Sequence, residues 1–180
     1  MWRAEECNQE TQVSAITFRK AGKADKKLIH DWLKLPHVME YWDKSQEIAA
    51  AFDANLKYDF WICLSDKEPY GLILASDPTQ APPDYLVPWI EEKGKTWLID
   101  FIICEESYQG KGLGAQTLKQ FAQQQSPEAS ALLAAPEVRN EKGMHIYEEA
   151  GFARVSTFIE GKGFFKGKPH YLLKLKNLSQ

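Results

Sequence analysis

Apolar residues along this chain recur in two different periods, and each change of period marks a new element. Alternating runs rich in β-branched and aromatic side chains predict strands at SAITFRKA (14–21), YDFWICLS (58–65), YGLILAS (70–76), TWLIDFIIC (96–104), FARVSTFI (152–159) and PHYLLKLK (169–176). ASALLAA (129–135) reads as a short buried strand. Helical spacing governs ADKKLIHDWLKL, where Leu28, Ile29, Trp32 and Leu33 share one face and Pro36 is expected to end the helix. SQEIAAAFDANL, LGAQTLKQFAQQQ and NEKGMHIYEEAGF read as three more helices, the last closing at Gly151. DKEP (66–69) is a charged turn, so the strands around it form an antiparallel hairpin, and the proline-rich loop DPTQAPPDYLVP precedes the next strand. A segregated meander with a few helices predicts an α+β domain around a mixed sheet.

Composition narrows the picture. With 180 residues, 44% of them hydrophobic and 12% aromatic, the chain can bury one sizeable core, so residues 1–180 are expected to form a single domain with 1–12 as a loose lead-in. A net charge of -3 lacks the basic footprint of a nucleic-acid binder. The cysteines Cys7, Cys63 and Cys104 are odd in number and form no CxxC, which favours reduced thiols over a disulfide framework or zinc site. The polar N-terminus lacks a signal-peptide pattern, and no run approaches the ~20 apolar residues of a membrane span, so a cytoplasmic protein without membrane contact is expected. His30, His37, His145 and His170 make no HExxH, so no metal site is expected.

Two stretches carry candidate chemistry. In TWLIDFII a carboxylate, Asp100, interrupts an apolar strand, and such a group needs either a partner or a task. Alternation places Leu98, Asp100, Ile102 and Cys104 on one face, with Asp100 its only group ionised at neutral pH. QGKGLG, Gln109 to Gly114, follows a strand and opens a helix. Its glycines permit tight backbone geometry, and the helix start offers unpaired N–H groups with partial positive charge, as a phosphate cradle requires. The spacing is neither GxxxxGK[ST] nor GxGxxG, so a plain flexible loop stays open as an alternative.

Gln109, Gly112 and Gly114 resemble motif A of the GNAT superfamily of acetyl-CoA-dependent N-acetyltransferases, and RNEKGMHIYEEAGF resembles its motif B, with Asn140, Tyr147 and the closing Gly151-Phe152. WLKLPHVMEYW and LIDFIIC extend the similarity toward the aminoglycoside 6'-N-acetyltransferase branch. The resemblance implies a GNAT-like mixed, mostly antiparallel central sheet of about seven strands flanked by about four helices. It implies that backbone groups at Ile102, Ile103 and Cys104 bond the pantetheine arm of acetyl-CoA where two strands splay. The amides of Gln109, Gly110, Lys111, Gly112, Leu113 and Gly114 would hold the pyrophosphate, with Asn140 and Tyr147 facing the cofactor. Tyr147 would protonate the leaving thiolate.

Acetyl transfer needs a neutral amine, whereas a primary alkylammonium has a pKa of roughly 10. Asp100 is the candidate to bind that ammonium and take its proton, directly or through water. The alternative is a structural ion pair. Asn140 also suits the N-cap of its helix, and Tyr147, close to two turns later, points the same way. Trp42, Trp89, Glu91, Glu92 and Asp100 are the candidate acceptor residues, WIEE being similar to an aromatic and acidic stretch of that branch.

Two departures weigh against aminoglycosides. Ala134 and Ala135 stand where the branch often has an aspartate, and Lys162, Lys166 and Lys168 would repel a polycation if they border the cleft. The expected function is acetyl transfer to a primary amine of a small molecule in a ternary complex, with an aminoglycoside 6'-amine as one acceptor. Siderophore-type acylation of an amine or hydroxylamine, a peptide or lysine acceptor, and a non-catalytic acyl-CoA-binding module are the alternatives. The assembly expected is a monomer or homodimer.

Overall fold

The computed structural model of the chain describes residues 15–42, 45–55, 58–125, 129–161 and 166–176, so the expected lead-in with Cys7, and Lys162, lie outside the described residues. Seven strands form one sheet in the order β1-β2-β3-β4-β5-β7-β6. They are β1 (Ile16–Lys20), β2 (Asp59–Ser65), β3 (Glu68–Ser76), β4 (Lys95–Ile103), β5 (Ala129–Ala134), β6 (Ala153–Ile159) and β7 (Pro169–Lys176). Only β4 and β5 run parallel. Among the described residues five α-helices flank the sheet: α1 (Lys26–Trp32), α2 (Pro36–Tyr41), α3 (Ser45–Asp53), α4 (Leu113–Gln125) and α5 (Glu141–Glu149). No described helix is long and apolar enough to cross a membrane.

The fifth helix is the one not expected, and proline explains it. α1 already stops at Trp32, and Pro36 stands at the start of α2, where its missing N–H would be unpaired anyway. Leu35 before it is extended, at φ -66° and ψ 134°, as the proline ring demands. The β2–β3 turn is also tighter than DKEP. Asp66 and Lys67, at φ 49° and 74°, make a two-residue turn that lets Glu68 pair with Ser65.

Each face of the sheet has its own cover. Ile73, Ile99, Leu132 and Leu173 pack beneath Leu118 and Phe121 of α4 and Met144 and Tyr147 of α5. On the other face Ile62, Leu72 and Leu74 meet Ile29, Trp32 and Val38 from α1 and α2. Each fully buried Leu or Ile contributes about 1.5–3 kcal/mol by leaving water. The 77–95 loop closes the remaining end of that second face, where Leu86 packs on Leu133 and Leu172. Tyr85 from the loop stacks on Phe158 at 3.7 Å, and Phe158 stacks on His170 at 5.3 Å, which fastens the loop to the terminal hairpin.

Candidate active site

The sheet is split at its centre. β4 pairs with β5 only through Lys95–Leu98, whereas β3 follows β4 as far as Ile103. Gly71 permits that last approach, since a Cβ there would lie 2.9 Å from the Ile102 carbonyl oxygen. Beyond Leu98 one edge of β4 therefore faces a gap. The Cys104 N–H donates to the Tyr70 carbonyl at 2.9 Å, and antiparallel alternation turns the backbone groups of Ile102 toward β3 as well. This corrects the expectation for Ile102 and Cys104, whose main-chain groups are occupied. Those of Phe101 and Ile103 face the gap. The Cys104 carbonyl accepts from His37 Nε2 at 2.9 Å, and His37 Nδ1 lies 3.4 Å from Glu106, so α2 is tied to the end of β4.

That end leads into the glycine loop. Gln109 Nε2 donates to the Ile103 carbonyl at 3.3 Å, and the exposed Lys111 lies over the Tyr108 ring. Gly110 and Gly112 have φ of 69° and 71°, the left-handed region that favours glycine. Gly114 differs. It is buried, and a Cβ there would sit 2.8 Å from the Ile146 side chain, so it is glycine for the contact between α4 and α5. Leu113 begins α4, leaving the first-turn amides directed at the loop. Thr117 donates to the Leu113 carbonyl at 2.5 Å, so the Tyr70 hydroxyl, 2.7 Å away, must donate to Thr117. This chain of bonds fixes the first turn to β3. A 13-residue helix start behind two left-handed glycines fits a diphosphate.

The gap opens into a cavity of about 400 Å³, lined by Asp100, Tyr147, Asn140 and Trp42 together. Asn140 is the N-cap of α5, its Oδ1 accepting from Gly143 N at 2.9 Å, so the capping expectation holds and the residue still lines the cavity. Burial raises the Tyr147 phenol above its ordinary value, the nearby Asp100 charge adds to this, and the Phe101 backbone partly offsets it. The phenol therefore stays protonated at neutral pH. Burial, with Glu160 and Asp100 nearby, pushes the Tyr85 phenol up to about 12. Three carboxylates, Asp100, Glu137 and Glu160, line the cavity, and no lysine or arginine does among the described residues.

Residues 22–159 match the family described as the acetyltransferase (GNAT) domain. The chain belongs to the GNAT acetyltransferase family. The aminoglycoside N(6')-acetyltransferase type 1 of Klebsiella pneumoniae is 24% identical over 159 residues, spanning 83% of this chain and 79% of that protein. Among solved structures, an aminoglycoside N(6')-acetyltransferase from Legionella pneumophila aligns with a TM-score of 0.75 at 25% identity, over 89% of this chain and 91% of its own. The aminoglycoside acetyltransferase AAC(6')-Ib in complex with coenzyme A and kanamycin aligns with a TM-score of 0.73 at 21% identity, over 92% and 96%. This GNAT protein is thus an N-acetyltransferase whose acyl donor is acetyl-CoA.

Within the GNAT frame, three of the expected acceptor residues stand elsewhere. Trp89 packs with Leu86 and Leu133, and its carbonyl accepts from Lys174 Nζ at 2.7 Å. Glu91 lies 2.6 Å from Lys174 and 3.4 Å from Lys176. Lys174, only 6% exposed, requires that carboxylate, so Glu91 serves an ion pair and does not line the cavity. Glu92 is exposed and outside the lining. The 77–95 loop presents Pro83 and Tyr85 to the cavity instead. Lys166 and Lys168 are not among the lining residues either. Tyr41, Tyr58, Glu137, Phe158 and His170 also line the cavity; Tyr41 falls within WLKLPHVMEYW, and the other four lie outside the motifs singled out in the sequence.

Proposed function

We propose that this GNAT enzyme acetylates a primary amine of a small, cationic molecule, an aminoglycoside 6'-amine being one such acceptor, by direct attack with both substrates bound. The observation that carries the reading is the single cavity holding Asp100, Tyr147 and Asn140 at the opened edge of β4. Bound acetyl-CoA supplies the activated acyl carbon. The amides of Gln109 to Leu113 would hold its diphosphate, and the Ile103 N–H with the Phe101 backbone its pantetheine arm. The lining supplies negative charge without lysine or arginine among the described residues, so an ammonium is drawn in and a carboxylate-bearing acceptor is disfavoured. Asp100 binds the ammonium and accepts its proton, which frees the nitrogen lone pair. Tyr147 keeps a proton at its hydroxyl in the same cavity, available to a leaving thiolate.

Thiol release from acetyl-CoA, measured against aminoglycosides, polyamines, hydroxylamines and peptides, tests the acceptor class. Asp100→Asn is expected to lower turnover by about a hundredfold or more while coenzyme A binding, followed by calorimetry, changes little. Unchanged turnover would refute the assignment of Asp100.

A further inference from the structure

Glu137 is a carboxylate that the chemistry above does not use. Its side chain is 7% exposed, although it lies in the segment that connects β5 to α5. One oxygen, Oε1, lies 2.8 Å from Arg139 Nε. That arginine approaches from outside, donating through Nη2 to the Glu40 carbonyl at 2.7 Å and standing 5.3 Å above the Tyr41 ring. The other oxygen, Oε2, is buried and has no hydrogen-bond partner among the described residues. Glu137 belongs to the same cavity wall as Asp100. A buried carboxylate oxygen without a donor is costly, and a ligand that brings a charged donor relieves the cost.

We propose that Glu137 is a specificity-determining residue whose free oxygen binds a second ammonium of the acceptor, so that diamines and larger polyamines are preferred to monoamines. This rests on the amine-acetylation reading. Asp100 receives the reacting nitrogen, and Glu137 holds a second one without taking part in the transfer. Arg139 fixes the carboxylate through Oε1 and leaves Oε2 for the ligand.

The test compares kcat/KM for an α,ω-diamine, an amino alcohol of equal length and the corresponding alkyl monoamine. In Glu137→Gln the preference for diamine over monoamine is expected to fall about tenfold, the size of one charge-assisted bond. An unchanged preference would overturn the proposal, and an equal loss for the amino alcohol would overturn the assignment to a second positive charge. Glu137→Asp provides a second variant should Glu137→Gln fail to fold. It keeps the charge and the arginine but withdraws the carboxylate by one methylene, so the same preference is expected to fall while monoamine kcat/KM holds; an unchanged preference would count against the proposal. If the unaltered protein acetylates no amine at all, the function itself fails, which is a distinguishable result from transfer without discrimination.

Discussion

Gly112 and Gly114 stand two residues apart and are glycines for different reasons. At Gly112 a side chain would meet nothing within 4 Å, but the backbone sits at φ 71°. At Gly114 the backbone is helical, but a methyl group would press on Ile146 at 2.8 Å. Gly112→Ala is therefore expected to cost about 1–2 kcal/mol in the loop conformation and to weaken coenzyme A binding, measured by calorimetry on folded protein. Gly114→Ala should lower the melting temperature through overpacking worth about 1–3 kcal/mol, with coenzyme A affinity retained in the fraction that folds. If both variants lost only affinity, the helix-contact role of Gly114 would be wrong.

At the scale of elements, the joint between the 77–95 loop and β7 is an ion pair. Lys174 holds Glu91 below its ordinary value of 4.5, with burial opposing and Lys176 assisting. A lowered carboxylate contributes stability in full above the unfolded value, and this contribution is lost as pH falls through the folded one. Glu91→Gln leaves Lys174 in place without its carboxylate and is expected to cost roughly 2 kcal/mol at neutral pH. Melting curves of the variant and the parent should converge as the solution is acidified from pH 4.5 through the lowered value. Curves that already coincide at neutral pH would show that the pair adds nothing.

For the whole molecule, burial of the thiols bears on mechanism. Cys63 and Cys104 are both buried, and desolvation raises both thiols above their ordinary value, so neither supplies a thiolate to carry an acetyl group. Initial-velocity lines at varied acetyl-CoA and amine are expected to intersect. Parallel lines would instead require a covalent relay. Much of this architecture could be read in the chain, because alternation and helical spacing are local and so are the glycine loop and the Asn140 cap. The short helix at Pro36 escapes because a proline serves equally as a helix stop and as a first helical residue, and here it stands at a start. The cavity walls escaped for another reason. Tyr41, Tyr58 and His170 meet only because β7 inserts between β5 and β6 and the helices fold over the opposite end, an arrangement that no local pattern encodes. Glu91 resembled a pocket acid until Lys174, far along the chain, claimed it.

The split between β4 and β5 also governs how fast solvent deuterium enters the centre of the domain. Ile103 lies between Ile102 and Cys104, whose amides β3 retains, yet its own N–H is turned to the open side. Its proton should exchange far sooner than those of its two neighbours, and slow once coenzyme A occupies the gap. One amide in the middle of a seven-stranded sheet thereby reports occupancy without any turnover.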